Sequence, residues 1–496
     1  MQMKSWNVMD AIIQQAKKSP DKIAICERGK TCTYADLLHQ VRKVSCGLKK
    51  NKGVNDRVVI MSNNCIEYAE VFLGAIYAGC IPVVLDPKWS QKEMIQVLDN
   101  NNPSLLFGDK YKLMKIPDKT MQTKISFQED KDITSYSTWV ASQKEDTVME
   151  TNEMLFIGYT SGTTGKPKGF MRSHQSWIKS FESGIDIFRF KENDHFIAPG
   201  SFAHSLSLFV LIQSLYLGGT FHVVSKFNAE KVAAICNQYK EVILFVVPTM
   251  IQSLIESTIN EADIKGLISS GSKWTAAMKK QAIKRFGKTK LFEFYGTSEA
   301  SYISYLTVSE ETDLHSAGKP FPGVEISVCN ENGWERDRGE VGQLKIKSEM
   351  VFTGYDHMPE ETKAVFHDGW LLLGDYGYLD ENNKLYLSGR KKNMIITGGL
   401  NVFPEEVETV LKQLSEIKES MVFGISDMHW GERVVAVVSW KGERKLSSVS
   451  LRKYCSEFLA TYKIPKKVVT VDSFVYTGGG KVARKVMEDR IKDVLT

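Results

Sequence analysis

The stretch YTSGTTGKPKG, residues 159–169, decides how this chain of 496 residues is interpreted. It follows the apolar segment MLFIG (154–158) and holds three glycines, three threonines, one serine and two lysines. Glycines let backbone N–H groups approach phosphate oxygens closely, hydroxyls donate further hydrogen bonds, and lysines neutralise charge. We interpret the stretch as a polyphosphate-binding loop after a buried strand. The alternative is a Gly/Thr-rich surface turn.

Two better-known nucleotide motifs do not explain this chain. Walker A needs glycine where Thr160 stands and Ser or Thr where Pro167 stands. Capture of the phosphate by a helix N-terminus is therefore not expected. Residues 478–483 (GGGKVA) fit the relaxed dinucleotide fingerprint, but no second strand and no acidic residue about 20 positions on follow them. We treat that match as chance.

Outward from the loop, strand and helix patterns alternate. KIAICER (22–28), RVVIMS (57–62), IPVVLD (81–86), EVILFVVP (241–248) and LFEFYG (291–296) are apolar runs of strand length. Helix patterns lie between them; one begins at a capping box formed by Thr33 and Asp36. This order predicts an α/β fold with layered, mostly parallel sheets covered by helices.

After about residue 320 the sequence pattern changes to short strands separated by Gly-containing turns. It changes again near residue 390. From there we predict helices over 405–414 and 451–462 together with three strands. The expected organisation is a large N-terminal body over 1–390, with α/β subdomains to about 320 and a small β-rich subdomain over about 321–390. A small, mobile α+β C-terminal domain would follow over 391–496.

Composition excludes several classes. Apolar residues make up 43% and charged residues 25%, which is ordinary globular usage. The net charge of +5 is spread along the chain, so no nucleic-acid partner is indicated. The eight cysteines form no CxxC pair, which favours reduced thiols. The apolar stretch 71–85 is too short for a membrane span, and the N-terminus lacks a signal-peptide pattern. We expect a cytoplasmic protein without integral membrane contact, either a monomer or a homodimer.

YTSGTTGKPKG is the signature loop of the adenylate-forming superfamily, and the chain resembles its acyl-CoA synthetases over nearly its full length. Further motifs occur in the family's order: TYADLL (33–38), GAIYAG to VLDP (74–87), YGTSE (295–299), GKPFPGVEI (318–326), MVFTGY (350–355), DGWLLLGDYGYLDENNKLYLSGRKKNMI (368–395), GGLNVFPEEVE (398–408) and TGGGKVARK (477–485).

The resemblance implies a ligase that works in two halves. A carboxylate first attacks the α-phosphorus of ATP, giving an acyl-adenylate and pyrophosphate; the thiol of coenzyme A then displaces AMP. Because an anion approaches a polyanion, charge neutralisation and positioning must carry much of the catalysis. Mg²⁺ is therefore expected, held by Thr160 and Glu299. The residues implied around the pyrophosphate are Ser161, Gly162, Thr163, Thr164, Gly165 and Lys168.

By the same resemblance, Asp375 would accept hydrogen bonds from the ribose hydroxyls, with Arg390 nearby. Tyr295 would stack on adenine, and Glu293 would accept from its amino group in place of the family's Asn or Gln. The remaining implied nucleotide contacts are Gly271, Gly296 and Thr297.

The resemblance also assigns roles in the C-terminal region. Lys481 would bridge the α-phosphate and the incoming carboxylate. Lys392 would be the hinge about which this domain rotates, after which Gly398 and Gly399 would line a channel for CoA. Four departures from the family pattern affect this region: Leu400, Asn393, Leu373 and the segment Phe474-Val475-Tyr476.

The acyl pocket is expected in APGSFAHSLSLF (198–209), where Phe202 and His204 occupy the family's aromatic-His gate. His204 is also a candidate catalytic residue, and its alternative role is that of a core histidine. Residues 201–207 include no acidic residue to pair with a substrate ammonium, so an amino acid is disfavoured. The small residues Ser205, Ser207 and Ser272 favour a fatty acid. Open alternatives are an aryl or short-chain acid, an acyl carrier protein as acceptor, and a non-catalytic acyl sensor.

Overall fold

The fold was examined in a computed structural model that describes residues 7–50, 57–117, 123–161, 167–272, 274–287, 289–397, 400–427, 430–478 and 480–495. The helices of these residues are α1 (Val8–Lys18), α2 (Tyr34–Lys50), α3 (Ile66–Tyr77), α4 (Gln91–Asn101), α5 (Lys110–Leu113), α6 (Tyr136–Ala141), α7 (His174–Phe188), α8 (Ser205–Leu217), α9 (Ala229–Gln238), α10 (Pro248–Ile255), α11 (Ala276–Phe286), α12 (Pro359–Val365), α13 (Pro404–Leu411), α14 (Ser448–Ser456) and α15 (Arg484–Leu495). Short 3₁₀ turns span Glu261–Asp263, Lys391–Asn393 and Thr461–Lys463.

The strands of the described residues are β1 (Ile23–Glu27), β2 (Lys30–Thr33), β3 (Arg57–Met61), β4 (Ile81–Val84), β5 (Leu105–Gly108), β6 (Thr123–Ser126), β7 (Thr134–Ser135), β8 (Met154–Ser161), β9 (Pro167–Ser173), β10 (His195–Ile197), β11 (Thr220–His222), β12 (Val242–Val246), β13 (Ile264–Ser269), β14 (Lys290–Thr297), β15 (Ser301–Thr307), β16 (Lys319–Pro320), β17 (Glu325–Cys329), β18 (Gly342–Lys347), β19 (Gly354–Tyr355), β20 (Phe366–His367), β21 (Trp370–Leu371), β22 (Asp375–Leu379), β23 (Leu385–Arg390), β24 (Ile395–Thr397), β25 (Leu400–Val402), β26 (Ile417–Asp427), β27 (Gly431–Trp440) and β28 (Lys467–Thr470).

Two large sheets form the body. The first has the order β16-β15-β14-β13-β12-β10-β11-β1-β2, and the second has the order β19-β9-β8-β4-β3-β5-β6-β7. The interior pairs of both sheets are parallel, and antiparallel pairs lie toward the edges. One apolar cluster joins strands of both sheets to the helices between them. The prediction of mostly parallel, helix-covered sheets is confirmed.

Two smaller sheets follow. The first is β20-β21-β18-β22-β23, with β17 paired to β18, and accounts for the β-rich texture predicted after residue 320. The second is β25-β24-β27-β26, with β28 parallel to β27, and has an apolar core of its own together with α13 and α14. The smaller C-terminal α+β unit is confirmed, while the border between residues 390 and 391 remains a proposal.

Local signals explain most element ends. Thr33 and Asp36 form the predicted capping box, because the N–H of each residue donates to the side chain of the other. Helix α14 begins earlier than predicted, since Ser447 caps it by accepting from the Ser450 N–H, and it ends at Ser456. Leu459, which suggested a longer helix, is buried in the C-terminal core from a non-helical segment.

The stretch 71–85 forms the end of α3, a turn and β4, all buried, as predicted. Within the described ranges, every helix falls short of the length and apolarity that crossing a membrane requires.

A buried ion pair connects β3 to the end of β19. Both Nη atoms of Arg57 donate to the carboxylate of Asp356 at 2.7 Å, and the Asp356 side chain is 5% exposed. The Asp356 N–H donates in turn to the carbonyl of Gly169 in β9. This pair therefore helps to hold the strand that leaves the phosphate loop.

We predict that Asp356→Ala lowers the free energy of unfolding by about 3 kcal/mol, because Arg57 would keep a buried charge without its partner. Thermal denaturation measures the loss. The matched control is Glu192→Ala, which breaks an exposed pair with Lys18 and should cost less than about 1 kcal/mol. Equal melting temperatures for the two variants would contradict the importance of the buried pair.

Candidate active site

The phosphate loop joins two antiparallel strands. Thr160 in β8 lies opposite Lys168 in β9, and the chain continues from the loop into a strand instead of a helix. This confirms that the loop does not use the Walker A geometry. The predictions for Gly162, Thr163, Thr164 and Gly165 and for the Ser161 side chain lie outside the described residues.

Glu299 lies in a tight turn that follows the carboxyl end of β14. The turn is closed by the Ala300 N–H, which donates to the Thr297 hydroxyl at 3.1 Å. The Glu299 carbonyl accepts from the Phe352 N–H at 2.6 Å, and its Oε1 accepts from the Tyr355 hydroxyl at 3.1 Å. The placement of Thr297 indicates a role in shaping this turn.

Tyr355 connects the carboxylate to the phosphate loop. Besides donating to Glu299, its ring lies 5.4 Å from the Lys168 Nζ. Burial and the charge of Glu299 raise the pKa of Tyr355, so it remains a hydroxyl donor. Our sequence analysis gave this residue no role, although it closes the MVFTGY motif, and that motif was the available signal.

The donor set fits Mg²⁺. The Thr160 hydroxyl and the Glu299 carboxylate are hard oxygen ligands, which this ion prefers. Within the described part of the chain, Glu299 Oε2 receives no hydrogen bond, whereas Oε1 is held by Tyr355. One oxygen is thus oriented by the protein and the other is left for a cation.

The Asp375 carboxylate is held on both sides. Tyr295 donates its hydroxyl to Oδ2 at 2.5 Å, and Arg390 donates Nε–H to Oδ1 at 2.7 Å. Asp375 and Arg390 are paired across β22 and β23, so the sheet register sets this contact. Burial and then the charge of Asp375 raise the pKa of Tyr295. The three predicted residues are therefore adjacent; adenine stacking by Tyr295 remains a prediction.

Lys481 is presented by a short turn of the C-terminal region. The Thr477 N–H donates to the Lys481 carbonyl at 2.7 Å, and the Gly480 N–H donates to the Thr477 carbonyl at 3.0 Å. The pKa of Lys481 is lowered by burial and by Arg390, while Asp375 and Glu299 oppose the shift. Lys481, which is over 90 positions from Arg390 in sequence, is thus within electrostatic range of residues predicted to bind the nucleotide.

The same turn contacts the body. Lys88 Nζ donates to the Gly478 carbonyl at 3.3 Å. His204 Nε2 lies 3.4 Å from Asp86 Oδ2, without hydrogen-bond geometry, and a Cβ on Gly478 would be 3.5 Å from that nitrogen. Burial lowers the pKa of His204 despite Asp86, which favours the neutral ring. Asp86 and Lys88 were missed in the sequence, although they lie in or beside the VLDP segment.

Glu293 makes contacts within the protein. Its Oε1 accepts from the Trp274 N–H at 2.9 Å, and its Oε2 lies 2.6 Å from the Nζ of the fully buried Lys279, without hydrogen-bond geometry. Acceptance of a hydrogen bond from the adenine amino group by Glu293 remains a prediction. Lys279 lies fourteen positions before Glu293 and outside the motif, so the motif itself gave no sign of this ion pair.

Gly296 and Gly271 differ in how much space surrounds the position that a Cβ atom would occupy. A Cβ on Gly296 would lie 2.1 Å from the Ser301 carbonyl oxygen, so this glycine accommodates the protein's own turn; its approach to the nucleotide remains a prediction. Gly271 has a φ of +91° and is exposed, with a Val247 methyl 3.3 Å from its Cβ position. Gly271 thus keeps the open surroundings that its predicted role needs.

The acyl-pocket residues are dispersed. Phe202 has no exposed surface; its N–H donates to Asn64 and its ring packs on Tyr68 and Phe221. In this structure it is a core residue, and its role as a gate remains a prediction. The Ser205 hydroxyl lies 3.0 Å from the Ser298 hydroxyl.

The other two predicted serines differ in exposure. Ser207 is buried, and Ser272 is exposed. A cavity of about 670 Å³ lies in the β-rich region and includes none of the predicted site residues.

The predicted hinge is the 3₁₀ turn Lys391–Asn393. The Lys391 N–H donates to the Gly374 carbonyl at 2.8 Å, and Asn393 Nδ2 donates to Glu405 Oε1 at 2.6 Å. The family's Asp at position 393 would place a second carboxylate against Glu405, so the departure to Asn matches its neighbour. Burial and Arg390 lower the pKa of Lys392. The predictions for Gly398 and Gly399 lie outside the described residues.

A lysine of the C-terminal unit is thus placed within electrostatic range of two carboxylates of the body, Asp375 and Glu299. A site of this kind suits transfer of a nucleotide to an anionic acid, and its parts occur in the order typical of adenylating enzymes. The fold and the site thus define the class as that of ATP-using, adenylate-forming enzymes.

The chain belongs to the AMP-binding enzyme family. The model described as "AMP-binding enzyme" matches residues 12–356, and that described as "AMP-binding enzyme C-terminal domain" matches residues 406–481. The chain is 34% identical to the uncharacterized acyl–CoA ligase YhfT of Bacillus subtilis, covering 95% of each chain. It is 31% identical, over 97% of this chain and 98% of the relative, to VraA of Staphylococcus epidermidis, whose name assigns it provisionally to the long chain fatty acid-CoA ligases. The chain is accordingly an acid–thiol ligase that uses ATP and CoA.

Solved structures agree with this placement. ATP-bound MatB from Rhodopseudomonas palustris superposes with a TM-score of 0.91 at 27% identity, over 99% of this chain and 100% of that one. The apo form of MatB gives 0.80 at the same identity and coverage. The o-succinylbenzoate CoA synthetase MenE from Bacillus subtilis, in complex with its acyl-adenylate intermediate OSB-AMP, gives 0.87 at 26% identity, over 97% of this chain and 98% of that one. The arrangement of this chain is thus nearer to the ATP-bound form of MatB.

We predict that ATP binding is accompanied by proton uptake at alkaline pH. Because the pKa of Lys481 is lowered from its ordinary range, a larger share of this lysine is neutral there than of a free lysine; phosphate charge favours the ammonium, raises the pKa and draws a proton from solution. Calorimetry in buffers of different ionisation enthalpy measures the uptake, which should decrease as the pH is lowered. It should persist in Lys485→Met and disappear in Lys481→Met; equal uptake in both variants would contradict the assignment.

Proposed function

We propose that this acid–CoA ligase acts on fatty acids and forms an acyl-adenylate in a Mg²⁺-dependent first half-reaction. The observation that carries the proposal is the placement of Lys481, an exposed lysine of the C-terminal unit, within electrostatic range of Asp375, Glu299 and Arg390 of the body. That arrangement supplies a mobile positive charge where two anions must meet.

In the first half-reaction a carboxylate oxygen attacks the α-phosphorus of ATP. The bond from that phosphorus to the oxygen bridging to the β-phosphate breaks, and pyrophosphate leaves with the electron pair. Lys481 stabilises charge on the α-phosphate, and Lys168 binds the departing group. Asp375 fixes the ribose, so the α-phosphorus is oriented for attack. When bound, Mg²⁺ would supply positive charge to the phosphate oxygens, held by Thr160 and Glu299.

In the second half-reaction the sulfur of CoA attacks the acyl carbon. The bond from that carbon to the AMP oxygen breaks, the thiol gives up its proton, and AMP leaves. Lys481 must then withdraw to admit the thiol, so we place the domain border after residue 390 and the pivot at Lys392. The turn there is short and hydrogen-bonded, which favours a localised rotation. Gly398 and Gly399 would line the channel for pantetheine.

The aliphatic substrate is inferred from α8 and its neighbourhood. This helix is buried along most of its length and strongly apolar, and residues 201–207 before and within it include no carboxylate for a substrate ammonium. The provisional name of VraA points the same way. An aryl acid is the second candidate, because MenE, an o-succinylbenzoate CoA synthetase, shares the fold over nearly the full length.

A substrate panel tests this proposal. Carboxylic acids from acetate to palmitate, together with benzoates and o-succinylbenzoate, are assayed with ATP and free CoA for AMP release. We expect medium- or long-chain acids to give the highest kcat/KM. Preference for an aryl or short-chain acid would contradict the substrate class. Thioester formed only with a phosphopantetheinyl carrier protein would contradict CoA as the acceptor.

We predict that Lys481→Ala abolishes carboxylate-dependent ATP–pyrophosphate exchange, by about 100-fold or more, because one preorganised charge at the reacting phosphate is lost. Conversion of supplied acyl-AMP and CoA to the thioester should remain within about threefold of wild type. The control is Lys485→Ala, which removes an exposed lysine of the same segment. Equal loss of both halves would contradict the division of labour.

A further inference from the structure

Arg172 in β9 is a buried cation. Its side chain has no exposed surface, and its Nη atoms donate to the Ser298 carbonyl at 3.1 Å, the Ser301 hydroxyl at 2.8 Å and the Met350 carbonyl at 2.7 Å. None of the ion pairs assigned among the described residues includes it, and its Nε lacks a hydrogen-bond partner. Burying a charge without a carboxylate partner lowers the stability of the fold. A purely structural role for Arg172 would therefore carry a large penalty in folding free energy.

The acceptors of Arg172 surround one residue. Ser298 and Ser301 flank Glu299 on either side, and Met350 lies two residues before Phe352, whose N–H holds the Glu299 carbonyl. Ser301 has a φ of +57°, in the left-handed region that residues other than glycine seldom adopt. The bond to its hydroxyl therefore helps to hold a strained turn. The acidic side chain that acts electrostatically on Arg172 is that of Glu299.

Arg172 also lies on the strand that pairs with the phosphate-loop strand. β9 is antiparallel to β8, which carries Thr160, and both strands belong to the second sheet. Glu299 follows β14, which belongs to the first sheet. A single guanidinium thus links the β8–β9 hairpin of the second sheet to the turn that follows β14 of the first sheet.

We propose that Arg172 is a positioning residue for the metal: its three hydrogen bonds hold the Glu299 turn in register with the hairpin that carries Thr160. The proposal rests on the proposed role of Thr160 and Glu299 as Mg²⁺ ligands. Arg172 does not touch nucleotide or metal. Its planar group reaches the three acceptors from two separate nitrogens, whereas Lys has a single donor nitrogen and Met has none.

The experiment compares Arg172→Met and Arg172→Lys with Glu299→Gln and wild type. Two quantities are measured: the free Mg²⁺ concentration at half-saturation of ATP–pyrophosphate exchange, and the extra rise in melting temperature that Mg²⁺ adds to ATP. The second readout is independent of catalysis. Phe286→Leu is the control for lost stability, since this fully buried core residue belongs to a different apolar cluster.

We expect Arg172→Met to raise the half-saturating Mg²⁺ concentration by about tenfold or more, the lower end of the effect of outer-shell partners of a metal ligand. The Mg²⁺-dependent part of the thermal shift should shrink in parallel, while the shift by ATP in EDTA is kept. Arg172→Lys should fall between Met and wild type. Phe286→Leu should lower the melting temperature without moving either Mg²⁺ readout.

Two results would overturn the inference separately. If Glu299→Gln moves the Mg²⁺ requirement but both Arg172 variants behave like Phe286→Leu, Arg172 is only a structural residue. If Glu299→Gln itself leaves the Mg²⁺ requirement unchanged, the metal assignment fails and the inference fails with it. Should Arg172→Met not fold, Ser301→Ala removes one of the three bonds, and it must raise the Mg²⁺ requirement in the same direction.

Discussion

The Asp375 carboxylate is the contact on which the arrangement of the site depends. One oxygen is held by Tyr295 at the end of the first body sheet, and the other by Arg390, the last residue before the hinge turn. Lys481 of the C-terminal unit faces the same negative charge. Because a carboxylate can accept several hydrogen bonds at once, Asp375 helps to position the body, the hinge and the C-terminal turn relative to one another.

This junction explains why the cationic residues do not destabilise the unliganded site. Desolvation and then repulsion by Arg390 lower the pKa values of Lys392 and Lys481, and the two lysines also repel each other. Asp375 and Glu299 offset that repulsion only in part. The site is therefore electrostatically incomplete without a polyanion, and the phosphates of ATP supply the missing negative charge.

Sequence reasoning predicted the parts whose cause is local. Apolar periodicity and the capping box of Thr33 and Asp36 predicted strands and helices, because each signal lies within a few residues. It could not predict contacts between distant segments, such as the Lys279–Glu293 pair or the core packing of Phe202. Motifs identify which residues matter by type and order, but they do not show which side chains are already satisfied by the protein.

The departure at Asn393 illustrates the same limit. In the motif alone, the loss of an Asp beside the hinge suggests a weakened conformational step. In the structure the amide donates to Glu405, whose neighbour Gly389 leaves room for that carboxylate, so the three positions fit one another. The family's motif gives one set of residues that can form this turn, and this chain uses another set.

The contacts that hold the C-terminal turn in place are weak, and the two-step reaction requires this. The bond from Lys88 to the Gly478 carbonyl is exposed and 3.3 Å long, and exposed polar contacts contribute about 1 kcal/mol or less. Since repulsion by Arg390 and Lys392 opposes the attraction of Lys481 to Asp375 and Glu299, bound phosphate would strengthen the docking of the turn. When pyrophosphate leaves, most of that negative charge leaves with it. Under the proposed mechanism, the first half-reaction would thus weaken the attraction that holds the lysine and favour release of the domain when the thiol needs access.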